Sequence, residues 1–252
     1  MAAINIARLP NVAGWPMLPA CSIARGMAMA LRLIIGNKNY SSWSLRPWLA
    51  LTAFSIPFEE VLVPLDAPDF KERVREHSPA GKVPVLIDGE AVVWESIAIL
   101  EHLAERFPDR PLWPSEPAAR AHARSLATEM HNGFGGVRSA FPMNLWRPVE
   151  ARAVPEAAAS DLRKIGRRWL EARDRFGQSG PFLYGAFSAA DAMYAPVATR
   201  IRTYALPIEP ELDAYVTAIH EHPAFVAWKD AALKETGILA EDEVDWPVVK
   251  RV

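Results

Sequence analysis

Four prolines fall within ten residues in "PDRPLWPSEP", 108–117, and the chain carries a different apolar rhythm on each side of them. Proline removes a backbone donor and fixes φ, so neither a helix nor a central strand runs through such a stretch. It reads as a linker over 109–117, dividing residues 30–108 from residues 118–252. Ahead of it, "LRLII" and "FEEVLV" are short β-rich runs, with "SLRPWLALTAF" spaced as a helix between them. "DFKERVREH" follows as a short polar helix. "PVLIDGEAVVW" places two apolar runs around Asp88 and Gly89, a turn dipeptide, and "ESIAILEHLAERF" has Ile97, Leu100, Leu103 and Phe107 on one stripe. The order is βαβαββα: two strands joined by a crossover helix, with a hairpin closing a small mixed sheet. Beyond the linker the rhythm is helical throughout. Helices are expected near 117–140, over roughly 152–177, after Ser188, and as two shorter ones split by Pro223. "SAAD" at Ser188–Asp191 has the spacing of a capping box and gives Asp191 a structural role. The fold class is thus an α/β domain followed by an all-α domain.

The 252 residues are 50% hydrophobic and 23% charged with net charge -2, which excludes a disordered chain and supplies no basic excess for nucleic acid. Cys21 is the single cysteine. It leaves no partner for an internal disulfide or a cysteine-rich zinc site, and suits the reducing cytoplasm. Residues 1–29 are apolar but broken by Pro10, Pro16 and Pro19, a poor secretory signal despite "LPAC" ending at Cys21. They read as a flexible extension, with Met27 or Met29 as other possible starts. No stretch is long and apolar enough to span a membrane.

Three short segments lie at junctions that meet at one end of such a sheet. "YSSWS" supplies Ser41, Ser42 and Ser44 as candidate caps, or as hydroxyls donating to an anion at the positive end of a helix. In "GKVPVL", Pro84 belongs at the start of a strand, and the bond from Val83 is a candidate for the cis form. The Val83 backbone would then be a free edge on which an extended peptide could pair. Gly81 and Lys82 lack the spacing of a phosphate loop. In "WESIAIL", Ser96 and the first free amides could hold a carboxylate while Glu95 takes an ammonium group, a site for an amino-acid zwitterion.

With these segments in order, residues 31 to about 235 resemble the glutathione transferases, and "YSSWSLRPWLAL" is most similar to their serine-type, zeta-like bacterial branch. The resemblance implies a thioredoxin-like first domain and glutathione as co-substrate with no metal. By the same likeness Ser41 activates the thiol, with Ser42 as the alternative. Trp43, Lys82, Val83, Pro84, Glu95 and Ser96 lie against glutathione, and Met130, His131 and Phe134 against the electrophile, in "EMHNGFGGVRSAFPMNLW"; read from the residues alone, that Met and aromatic stripe also fits core, His131 a hydrogen-bonded structural histidine, and Trp43 a packing residue. A thiolate is the nucleophile, and a free thiol with a pKa of about 8.5 is mostly protonated at neutral pH, so a serine hydroxyl at a helix N-terminus has chemistry to do. The activity implied is conjugation of glutathione to small apolar electrophiles, or peroxide reduction, in detoxification. The enzyme would be a cytoplasmic homodimer with no nucleic-acid or membrane partner. Trp43 departs from the cysteine usual in zeta-like enzymes, and the arginine expected late in the helix after Ser188 is matched only loosely by Arg200 or Arg202. Both departures count against the alternative of a maleylacetoacetate-type isomerase. A second alternative is a non-catalytic binding or regulatory protein that keeps the fold. A thioredoxin-type oxidoreductase is opposed by Cys21, which precedes the first strand.

Overall fold

A computed structural model describes residues 30–244; the expected extension over 1–29, with Cys21, and the tail over 245–252 lie outside them. The first half is the expected βαβαββα unit: β1 Leu31–Ile35, α1 Ser42–Ala53, β2 Phe58–Leu62, α2 Phe70–Arg75, β3 Val85–Asp88, β4 Ala91–Trp94 and α3 Ser96–Arg106. The strands pair in the order β2-β1-β3-β4, with β1 parallel to β2 and the other pairs antiparallel. β1 is central and covered on both faces, which is why its sequence is nearly all apolar. Leu31, Leu33 and Ile35 join the main core with α1 and α3. Ile34 points the other way, into a small cluster with Val63, Val74 and Val85. The hairpin turns at Gly89, whose φ of +60° is in the region glycine enters freely.

The second half comprises α4 Pro117–Asn132, α5 Gly135–Ala140, α6 Glu156–Phe176, α7 Ala189–Thr203, a 3-10 turn Pro210–Leu212, α8 Asp213–Glu221, α9 Pro223–Ala232 and α10 Ala240–Glu243. α7 is the central post: every residue but Arg202 is buried. Its capping box forms as expected, and the Asp191 carboxylate accepts from Ser188 N–H (2.8 Å), Ser188 Oγ (2.7 Å) and Leu183 N–H (3.1 Å). No helix among the described residues is long and apolar enough to cross a membrane.

The single helix expected over 117–140 is broken. Phe134 takes a left-handed conformation (φ 58°, ψ 39°) between α4 and α5. A side chain at Gly133 would sit 2.8 Å from the Glu129 carbonyl oxygen, so the chain can turn there only as glycine. The left-handed residue costs about 1–2 kcal/mol. Burying Phe134 against Tyr194 contributes on the order of 1.5–3 kcal/mol and offsets it. After the break α5 packs on α6, and the Arg138 side chain reaches the Trp43 ring of the first half.

Candidate functional site

The loop between β1 and α1 is held by the helical half. Glu235 accepts from the Lys38 and Asn39 amides at 2.7 and 3.0 Å, Trp228 Nε1 donates to the Lys38 carbonyl at 2.9 Å, and Asn39 Oδ1 accepts from the Leu145 and Trp146 amides. The Tyr40 hydroxyl donates to Glu243 of α10. The loop therefore delivers its serines from a fixed frame. Ser41 is the N-cap of α1, its Oγ accepting from Ser44 N–H at 3.4 Å and lying 2.7 Å from Ser44 Oγ in a bond that either hydroxyl proton can make. Ser44 is fully buried and its Oγ also accepts from Gly36 N–H, tying the helix to the strand end. Ser42, in the first turn, is half-buried and its hydroxyl makes no hydrogen bond among the described residues.

Two cavities open beside this loop. The first, of about 240 Å³, is walled by Lys82, Val83 and Pro84, by Trp94, Glu95 and Ser96, and by Trp43, His131 and Arg138. The Val83–Pro84 bond is cis, and neither backbone group of Val83 is hydrogen-bonded among the described residues. Ser96 is 1% exposed, yet its Oγ has no partner, an unusual state for a buried hydroxyl. Glu95 holds φ at +68°, outside the ordinary range of a residue with a side chain, and its carboxylate stands half-exposed 3.4 Å from His131 Nε2. Strained backbone of this kind gathers at ligand sites. His131 Nδ1 is buried without a partner, and burial lowers the imidazole pKa against the pull of Glu95.

The second cavity, of about 300 Å³, is lined by Tyr40, Ser41, Ser42, Leu65, Phe70, Pro142, Met143, Arg200 and Asp242, and shares Trp43, Lys82, Val83 and Arg138 with the first. The Trp43 ring has the Arg46 guanidinium 4.0 Å and the Arg138 guanidinium 4.6 Å from its centroid. Arg46 is completely buried, its Nε donating to the Met193 carbonyl (3.0 Å) and Nη1 to the Ser42 carbonyl (3.1 Å). Burial, then the fields of Arg200 and Arg138, hold its pKa well below the usual range. Burial also lowers Arg138 and brings Arg200 to about 10, and it pushes Asp242 up to about 6. Among the described residues no group of three or more histidine, cysteine, aspartate or glutamate side chains could hold a metal.

The family model described as the glutathione S-transferase N-terminal domain matches residues 40–106, and the model of the corresponding C-terminal domain matches residues 150–231. The chain belongs to the glutathione S-transferase family. A probable maleylacetoacetate isomerase of Caenorhabditis elegans is 35% identical over 114 residues, 45% of this chain and about half (52%) of that protein. A stringent starvation protein A homolog of Coxiella burnetii is 27% identical over 201 residues, 78% of this chain and 90% of that one. Among solved structures, a bacterial zeta-class maleyl pyruvate isomerase superposes with a TM-score of 0.64 at 20% identity, covering 82% of this chain and all of that one. A Burkholderia glutathione transferase homolog with bound glutathione gives 0.60 at 22% identity, again over 82% of this chain and all of that one. These two structural likenesses speak for the shared fold.

Of the residues singled out from the sequence of this family member, Ser41, Ser42, Trp43, Lys82, Val83, Pro84, Glu95, Ser96 and His131 converge on the two cavities. The trio expected around the electrophile does not hold together. Met130 is fully buried on the inner stripe of α4 with Ala119, Ala123, Leu126 and Ala127, and Phe134, at the break, is nearly so; both pack in the main core. His131 lines the first cavity beside Glu95 rather than the second. Of that stretch it is Arg138, Pro142 and Met143 that reach the second cavity. Tyr40, Arg138 and Asp242 escaped the sequence reading; the only signal for Arg138 was a cation inside an otherwise apolar, glycine-rich segment.

Proposed function

We propose that the protein is a glutathione transferase whose two cavities form one continuous site, glutathione filling the first and its electrophile the second. What carries this reading is the junction: the free backbone of Val83 and the ring of Trp43 belong to both cavities. The unpartnered Ser96 hydroxyl stands at one end and the serine pair at the other. Glutathione would place its γ-glutamyl carboxylate on Ser96 and the first amides of α3, and its ammonium group on Glu95. Its cysteinyl backbone would lie on Val83. The thiol then lies over the start of α1, where unpaired amides and a hydroxyl favour the anion. Ser41 is assigned to the sulfur: its lone pair caps the helix, and its proton is free whenever Ser44 supplies the hydrogen bond between them. The thiolate attacks the electrophile, forming the sulfur bond as the leaving group departs with its electron pair.

Calorimetry should detect glutathione binding, weakened by about 1–3 kcal/mol in Ser96→Ala, the scale for a hydrogen bond to a charged group. Unchanged affinity would move the γ-glutamyl end elsewhere. The family likeness also gives a homodimer, expected by light scattering at about twice the 27.9 kDa chain mass; a monomer at micromolar concentration would refute it.

A second reading concerns the electrophile. Leu65, Phe70, Pro142 and Met143 suit an apolar one, but Arg200 and Arg138 favour one carrying a carboxylate, as the names of the maleyl-type isomerase relatives do. A panel of glutathione with an aryl halide, an organic hydroperoxide and a maleyl-type acid separates the readings. Glutathione binding without turnover of any would favour a binding or regulatory role.

A further inference from the structure

The two cavities meet where the proposed function puts the sulfur, and two cations stand on the shared wall, Lys82 and Arg138. Lys82 is exposed, so water and salt screen its field. Arg138 is half-buried, and among the described residues no carboxylate pairs with its guanidinium. Its contacts are the Gly133 carbonyl at 3.4 Å, a long bond, and the face of Trp43 at 4.6 Å. Against the same ring lies Arg46, also without a carboxylate partner among the described residues. Arg200, by contrast, gives Nε and Nη1 to the Phe141 and Pro196 carbonyls and lies in the favourable field of Asp242. A partly desolvated cation with no counter-ion raises the free energy of the empty site, and an anion arriving beside it recovers that cost.

We propose that Arg138 is a second thiolate-stabilising group, set at the junction by the Trp43 ring and acting on the glutathione sulfur together with the serine hydroxyl. The inference rests on the glutathione reading above.

The test is the thiol pKa of bound glutathione, read from thiolate absorbance against pH as a difference from the S-methyl analogue. It is measured for the wild type, Arg138→Met and Arg138→Lys, with affinity followed by calorimetry. An opposite charge nearby lowers such a pKa by about one to three units. Arg138→Met is therefore expected to cut the thiolate-to-thiol ratio of bound glutathione about tenfold or more, with affinity for the protonated thiol, read by calorimetry well below the bound pKa, changed less than about threefold. Arg138→Lys should recover most of the thiolate, which a purely packing role would not allow. Arg138→Gln is read the same way should the methionine variant fail to fold. A wild type that binds no glutathione would sink the proposed function and this inference with it. A wild type with a lowered thiol pKa that Arg138→Met and Arg138→Gln leave unchanged would overturn the inference alone.

Discussion

Ser41→Ala is expected to lower glutathione turnover by about 10- to 100-fold. A hydrogen bond to a charged group contributes about 1.5–3 kcal/mol, and each 1.4 kcal/mol of lost thiolate stabilisation is a factor of about ten in rate. The same change removes the N-cap of α1, costing about 0.5–2 kcal/mol of stability, so a melting curve should move as well. The two effects separate cleanly, because loss of a cap lowers stability without altering the pKa of a bound thiol. Glutathione affinity should fall much less than turnover, its ends being held by Glu95 and Ser96 in the proposed pose. Ser42→Ala, which touches no cap, is the control. Full activity and an ordinary thiol pKa in Ser41→Ala, with both disturbed in Ser42→Ala, would transfer the role to the second serine.

Asp191→Ala should be the most damaging change away from the cavities, with an expected loss of about 2–5 kcal/mol in denaturant unfolding. It strands the Leu183 and Ser188 amides at the buried entrance to α7, each at about 1–3 kcal/mol. Burial pushes the Asp191 carboxyl up to about 6 from 3.8, although its hydrogen bonds pull the other way. The folded chain therefore holds a proton that the unfolded chain releases. This group's contribution to stability is fully present below about pH 4 and is lost as pH rises through about 6. Asp191→Asn should flatten that part of the stability curve. A difference curve between wild type and Asp191→Asn that is level from pH 4 to 6 would contradict the assignment.

The sequence disclosed whatever depends on neighbours along the chain. Val83–Pro84, the Asp88-Gly89 turn and the Ser188–Asp191 box are local backbone chemistry, and each forms as read. Ser41 at the cap and Ser96 in the first turn of α3 follow from the same logic. The helix over 117–140 was misread because its alanine-rich start and aromatic end fit one period, while the left-handed Phe134 is stabilised by Tyr194, sixty residues away in sequence. Met130 and His131 were placed by the face α4 turns to the core, which the sequence stripe leaves open, while Phe134 and Arg138 follow from the break. Arg46 was invisible for a different reason. Nothing in "SLRPWLAL" distinguishes a solvated arginine from one wholly buried, since its partners are the Met193 carbonyl and its own helix backbone.

The first cavity takes Glu95 and Ser96 from the sheet half and His131 and Arg138 from the helical half, with the Glu95–His131 pair bridging them. A molecule seated there acts as a removable cross-link: it touches both halves, so part of its binding free energy is free energy of docking one half on the other. At one hundred times its dissociation constant, a ligand that binds only the docked form stabilises it by about 2.7 kcal/mol. The cell's supply of that ligand would then set how firmly the two halves hold together, and an emptied site would be the state from which the chain first comes apart.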